Sequence, residues 1–418
     1  MPEPFDVLAR WVHDARARTL EIYGDLAPEA RRGPKLSIVN PPNWELGHVA
    51  WFMEYWVLRH VRGGQPMRPN ADTLWDSMKV AHDTRWDLPL PPWAETMRYL
   101  EQVRDRVLDG LGAADGDDYF VQLSVLHEDM HIEAFNYTRQ THGYPAPRAT
   151  GETACPGGGP HPGDVDVPGG TFRLGATGDE PFVFDNEKWA HPVSVEPFSI
   201  ARAPVTQSQF CEFVADGGYR RRELWSEGGW RWREIAGAEH PVYWDRRDGV
   251  WMRRHYATWR ELEPDRPIIH VNHFEADAYC RWADRRLPTE AEWELAACGL
   301  GERKPRFPWG DSEPTPGLAN LDASAMDTVD VGACRDGDSP YGCRQMIGNV
   351  WEWTSTVFGP YPGFVADPYA DYSVPWFGDH MVLRGGCYVT RGRLLRNTWR
   401  NYATPDRRDV LVGFRTCR

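Results

Sequence analysis

Near residue 142 the sequence changes its period, and this limits the available folds more than any other feature. Before it, apolar residues recur at intervals of three and four, the pattern of helices with one buried stripe. After it come short alternating runs such as TFRLG and HPVSVEPFSI, divided by many turn signals. Between them lies HGYPAPRATGETACPGGGPHPGDVDVPGG, residues 142–170, crowded with Gly and Pro and without a period. Such a stretch neither continues a helix nor fills a sheet, so it reads as a connector. The expected fold class is α+β: a helical bundle over residues 1–145, a linker over 146–166 and a second domain over 167–418.

Four helices are expected in the first part. Residues 5–23 carry Leu8, Trp11, Val12, Ala15 and Leu20 on one side. Residues 40–61, NPPNWELGHVAWFMEYWVLRHV, open with Asn40 as a cap and prolines in the first turn. Residues 93–108 and 118–139 complete the bundle, with a long excursion between the second and third helices. Beyond the connector only residues 207–216 and 274–285 read as helices.

The fourth helix contains LSVLHEDMHIEAF, residues 123–135. At 3.6 residues per turn His127 and His131 leave the same face, beside Leu123, Leu126, Met130, Ala134 and Phe135. Paired imidazoles in an apolar interior repel if protonated, and a divalent metal resolves this by binding both in their neutral form. His48, flanked by Trp44, Trp51 and Phe52 at helical spacing, offers a third nitrogen from the second helix. Three imidazoles leave positions for substrate and dioxygen, as a non-haem iron centre requires; Glu128 and Glu133 are the nearby carboxylates. Two other readings stay open. The histidines could be core residues satisfied by hydrogen bonds, or HExxH could be a zinc-protease helix with Glu128 as general base and a ligand still to come.

Charge excludes some partners. With 61 acidic against 47 basic residues the formal net charge is -14, which disfavours nucleic acid and anionic membranes. No run approaches the ~20 apolar residues of a membrane span, so a soluble, cytoplasmic protein is expected, with small-molecule substrates and no obligate protein partner. The eight cysteines lack metal-finger spacing and read as ordinary buried thiols in a reducing compartment. Tryptophan is in surplus, at 21 residues, enough to build core and also to wall a cationic ligand.

Seven segments after residue 167 occur in a telling order: PGGTFRLG, HPVSVEPFSIARAPVTQSQFCEFV, RLPTEAEWELAA, FPWGD, GNVWEWT, LRGGCY and GFR. Together they resemble the formylglycine-generating-enzyme (FGE-sulfatase) domain, a variant of the C-type lectin fold. Within it Gly385 and Gly386 suit close backbone approach, and Trp351 and Trp353 read as core with Glu352 turned away. NWELGHVAWFMEYW and HEDMHIE add a similarity to the DinB-like four-helix bundle and three-histidine signature of the ergothioneine-pathway sulfoxide synthases. The two resemblances cover nearly the whole chain.

The family resemblance implies a non-haem, oxygen-dependent oxidoreductase with Fe(II) on His48, His127 and His131. Its substrate is hercynine, the trimethylammonium betaine of histidine. In DPYADYSVPWFGDHMVLRGG it implies that Tyr369 donates a proton or electron during oxygen activation and that Tyr372 meets hercynine; Asn401 and Tyr402 match a segment near the active site. Two departures bear on the second substrate. Where relatives grip gamma-glutamylcysteine with two arginines, LWDSMKVAHDTRWDLPLPP keeps only Arg85 and adds His82, Asp83 and Trp86, equipment suited to a sugar. Met130 stands where relatives have Gln against the substrate imidazole, and a thioether cannot replace that amide's hydrogen bonds. Both departures resemble the selenoneine synthase branch, which joins hercynine to a selenosugar. The alternatives are a cysteine or gamma-glutamylcysteine sulfoxide synthase, and a copper formylglycine-type protein or non-enzymatic binding domain using Cys334, Cys343 or Cys387.

Overall fold

The computed structural model describes residues 3–112, 114–148, 155, 157–301 and 303–418. The chain forms two compact units, Met1–Arg148 with Asp179–Phe182, and Ala149–Gly178 with Val183–Arg418. Part of the expected linker, residues 149–154 and 156, lies outside the described residues.

The first unit is built on α1 (Phe5–Gly24), α2 (Pro42–Met53), α3 (Ala71–Trp75), α4 (Trp93–Asp109) and α5 (Asp117–His142). α4 shows why these segments pack: it buries Thr96, Tyr99, Leu100, Val103 and Val107, one stripe at steps of three and four. α5 packs on α1 and α2, and α4 on the same two helices. α2 passes without a break into a π-helical stretch, Glu54–Val61. The expected Asn40 cap is corrected: α2 starts after Pro41, without a side-chain cap, and the Asn40 amide oxygen instead accepts a hydrogen bond from Arg85 at 2.7 Å. Proline at the first helical turn lacks an N–H, so less is left for a cap to satisfy there.

The second unit contains strands β1 (Asp164–Val167), β2 (Gly170–Leu174), β3 (His191–Val195), β4 (Phe198–Ala201), β5 (Trp244–Arg247), β6 (Val250–His255), β7 (Thr258–Glu261), β8 (Trp351–Val357), β9 (Met381–Arg384), β10 (Asn401–Ala403) and β11 (Val412–Gly413). The central sheet runs β10-β9-β8-β11, with β11 parallel to β8 and the other neighbours antiparallel. Around it lie α6 (Gln207–Ala215), α7 (Glu227–Ala236), α8 (His273–Trp282) and α9 (Glu290–Cys298). Sequence reading missed α7 and α9. α7 carries two glycines and buries almost nothing, while α9 is buried throughout, so neither shows a stripe.

Glu352 leaves the core tryptophans as expected, yet the opposite face of β8 is also interior. Its carboxylate accepts from Arg415 Nε at 2.6 Å, Arg415 Nη2 at 2.7 Å and Trp293 Nε1 at 2.9 Å. Gly385 follows β9 at φ +97, where a Cβ would stand 2.5 Å from the Met346 carbonyl oxygen. The expectation of mostly ordinary buried thiols is corrected for two of the cysteines: Cys155 and Cys334 form a disulfide, their Cα atoms 5.3 Å apart across 179 residues of sequence. Spacing that large carries no pairing signal. No helix among the described residues is long and apolar enough to cross a membrane.

Candidate metal centre

His48 reaches the bundle interior from α2, and His127 and His131 reach it from α5. Ligand atoms of all three lie within 4.8 Å of one another, the one such cluster found among the described residues. Ring centroids are 5.2 Å apart for His48 and His127, 5.0 Å for His48 and His131, and 4.6 Å for His127 and His131. Apolar rings enclose the cluster: Phe52 stacks on His127 at 3.6 Å and Trp44 on His48 at 5.0 Å.

Two rings are oriented through their far nitrogens. His48 Nδ1 lies 2.7 Å from the Trp75 carbonyl oxygen, and His131 Nδ1 lies 2.6 Å from Glu45 Oε1. In both cases the acceptor fixes the Nδ1–H tautomer and leaves Nε2 as the free electron pair. The Trp75 carbonyl is available because α3 ends there and has no further turn to bond. Glu45 sits three residues before His48 on α2 and is buried. Burial holds His48 and His127 well below the ordinary imidazole range, and the neighbouring His131 pushes both the same way. Two buried imidazoles held neutral, with the nitrogen of a third converging on them, suit a divalent ion of borderline softness, so the donor set fits ferrous iron.

Neither Glu128 nor Glu133 joins the cluster. Glu128 faces α1, where Arg16 binds it through Nε at 2.9 Å and Nη2 at 3.0 Å and Thr19 donates at 2.8 Å. A general base needs a free oxygen in reach of a metal-bound water, and this carboxylate has neither. The zinc-protease reading is therefore set aside.

Of the residues expected to meet the second substrate, three turn inward. Arg85 is 9 % exposed; it donates to Asn40, to the Ser77 carbonyl at 3.1 Å and to the Val80 carbonyl at 3.2 Å. Trp86 is buried, and His82 sits edge-on to it with Nε2 2.9 Å from the Val39 carbonyl oxygen. Asp83 alone is exposed. Arg85, expected to meet the second substrate, thus has each of its three nitrogens bonded to an oxygen of the chain itself. Met130 is half-buried on α5 next to His131.

In the second unit, Tyr369, Tyr372, Asn401 and Tyr402 gather in one place. Tyr369 and Tyr372 lie with ring centroids 6.3 Å apart. The Tyr372 hydroxyl accepts from Trp399 Nε1 at 3.2 Å, its ring stacks on Phe184 at 4.3 Å, and its carbonyl accepts from the Tyr402 hydroxyl. Tyr402 stacks on Phe358 at 4.1 Å, and Asn401 Oδ1 accepts from the Tyr402 N–H at 2.8 Å. Burial raises both the Tyr372 and the Tyr402 hydroxyl, keeping them protonated. Arg400 beside them is structural, bound to Glu290 through Nε at 2.7 Å.

The three cysteines of the alternative copper reading are not gathered as a free pair. Cys334 is in the disulfide, while Cys343 and Cys387 are buried, the thiol of Cys343 raised by that burial. Sequence reading missed Glu45 and Trp75. Glu45 could have been found as a carboxylate three residues before a buried histidine, but a backbone carbonyl leaves no mark on a sequence.

Residues 153–418 match the Sulfatase-modifying factor enzyme 1-like domain, and residues 12–133 match the DinB superfamily. The hercynine oxygenase of Mycolicibacterium thermoresistibile is 40% identical over 98% of this chain and 94% of its own length. That of Mycobacterium tuberculosis is 39% identical over 96% of each chain. The formylglycine-generating enzyme of Streptomyces coelicolor is 33% identical over 65% of this chain and 94% of its own. Both hercynine oxygenases match over nearly the full length of this chain, the helical unit included, and on this ground the chain belongs to the hercynine oxygenase family.

Proposed function

We propose that the protein is a non-haem Fe(II), oxygen-dependent enzyme that joins the imidazole C2 of hercynine to the chalcogen of a second substrate. The convergence of His48, His127 and His131 carries this reading, in a chain similar over nearly its full length to hercynine oxygenases. Iron bound there would supply a Lewis acid that keeps the chalcogen anionic at neutral pH and a redox centre for dioxygen. In the overall exchange the C2–H and chalcogen–H bonds break and the carbon–chalcogen bond forms. One oxygen atom goes to the chalcogen and the other leaves as water.

The chain's residues take the remaining tasks. Glu45 and the Trp75 carbonyl hold two imidazoles in the ligating tautomer. Tyr369 is the proton or electron donor, and Tyr372, Asn401 and Tyr402 hold hercynine. A quaternary ammonium cannot donate an N–H, so aromatic faces bind it, each worth ~0.5–2 kcal/mol. With Arg85 engaged internally, the loop after α3 offers no guanidinium fork to an acidic dipeptide, which favours an uncharged second substrate, a selenosugar, with Asp83 accepting from a hydroxyl.

Anaerobically reconstituted protein is expected to consume oxygen only when hercynine and a selenol or thiol are both present, and His127→Ala to abolish both iron retention and uptake. Product mass with selenoglucose, cysteine or gamma-glutamylcysteine then fixes the second substrate. Rates with gamma-glutamylcysteine equal to those with selenoglucose would overturn the selenosugar assignment, and full uptake by His127→Ala the iron chemistry.

A further inference from the structure

The excursion between α2 and α4 touches His48 twice. α3 ends with two carbonyls that no further helical turn takes up, and α2 uses both. Trp44 Nε1 donates to the Leu74 carbonyl at 2.6 Å, and His48 Nδ1 meets the Trp75 carbonyl at 2.7 Å. Trp44 and His48 are one helical turn apart, so the two bonds fix two successive rungs of α2 against the end of α3. The approach is close enough to demand a glycine: a Cβ on Gly47 would lie 2.2 Å from Trp75 Nε1.

The second touch comes from Arg85. Its guanidinium carbon lies 3.9 Å from the centroid of the Trp44 ring, and the same indole stacks on His48 with planes 9° apart. Asn40, Ser77 and Val80 hold the guanidinium in that position through its N–H groups. A flat cation pinned on a flat indole limits the tilt of that indole, and through it the tilt of the imidazole.

We infer that Arg85 is a positioning residue for the metal centre, acting on His48 through Trp44, and is not a contact for the second substrate. This rests on the proposed iron site but not on the identity of either substrate. The loop and the ligand thus move as one body, and a change in the loop is felt at His48 before it is felt by any ligand.

The test is titration of the metal-free full chain with Co(II), read as affinity and as the visible absorption band, together with KM for the second substrate in iron-loaded enzyme. Arg85→Met is expected to weaken cobalt binding by about ten-fold and to shift the band, with KM for the second substrate unchanged. Arg85→Lys keeps the charge but not the planar fork, and is expected to remain impaired. Asn40→Ala, a gentler change that frees one N–H of Arg85, is expected to shift affinity the same way by roughly three-fold, which keeps the test alive if Arg85→Met does not fold. Wild-type cobalt affinity and an unshifted band in Arg85→Met or Asn40→Ala, with a raised KM for the second substrate, would overturn the inference. Because the cobalt readings need no hercynine, protein that binds cobalt through His48 but turns over no hercynine defeats the proposed function while the inference is still decided.

Discussion

Glu45 is a buried carboxylate whose oxygen lies 2.6 Å from His131 Nδ1, and nothing else on α2 occupies that nitrogen. A ligating imidazole whose outer N–H meets a carboxylate is both oriented and more basic, and loss of such a partner costs 10–100-fold in metal affinity as a rough rule. Glu45→Ala is expected to lose affinity in that range, and Glu45→Gln, which retains an acceptor oxygen without the charge, to lose less. Ferrous iron titration of the two variants checks the order. At this scale the sequence pointed to the three histidines that cluster and hid their supports. His127 and His131 announce themselves by a four-residue spacing on an apolar face. Glu45 looks like any acidic residue in the first turn of a helix, and the Trp75 carbonyl is common to every residue type. For Arg85 the sequence shows that a guanidinium is present in a loop but not that three chain oxygens surround it.

Among elements, α5 faces two ways. His127 and His131 point to α2, and Glu128, one residue on, points to α1. Arg16 is fully buried, so removing its carboxylate leaves an uncompensated charge in the interior. Glu128→Ala is expected to lower unfolding stability by about 3–5 kcal/mol, and pairing it with Arg16→Met to recover much of that loss. Urea unfolding measures both. A metalloprotease helix would behave in the opposite way, keeping its stability and losing its chemistry. Element existence was legible where a buried stripe had a solvent-facing side, as in α4. It was illegible in α9, where Glu290 and Glu294 are buried against Arg384 at 2.9 Å and 2.7 Å and so break the apolar pattern from inside. Only the fold around it makes three glutamates in a helix of nine residues a core segment.

For the whole molecule, buried groups of the second unit add to the pH dependence of stability. Burial, followed by the charges of Arg254 and Arg253, lowers His270 from 6.5 to about 3. Asp327 is pushed up by burial, but the charges of Arg253, His255 and Arg266 outweigh it and bring it from 3.8 to about 2. For His270 the unfolded chain binds the proton first, so stability is full above pH 6.5 and falls as pH drops toward 3. For Asp327 the contribution is full above pH 3.8 and is lost as pH falls through 2. Both act in the same direction, and the denaturant midpoint is expected to decline from pH 6.5 downward. His270→Asn, which tolerates the local φ of +63, is expected to flatten that decline between pH 6.5 and 4. Tryptophan emission followed during urea unfolding across that range is the check. The division into a helical and a mixed part was legible because hydrophobic period is a property of long stretches. The Cys155–Cys334 bond was not, since it joins distant residues that only the folded chain brings together. One consequence follows from the clamp that Arg16 keeps on the back of α5. With the rod fixed from behind, His127 and His131 keep their places whether or not an ion is bound, so on the proposed iron chemistry a cell short of iron would store this protein as an intact vessel, ready to be refilled without refolding.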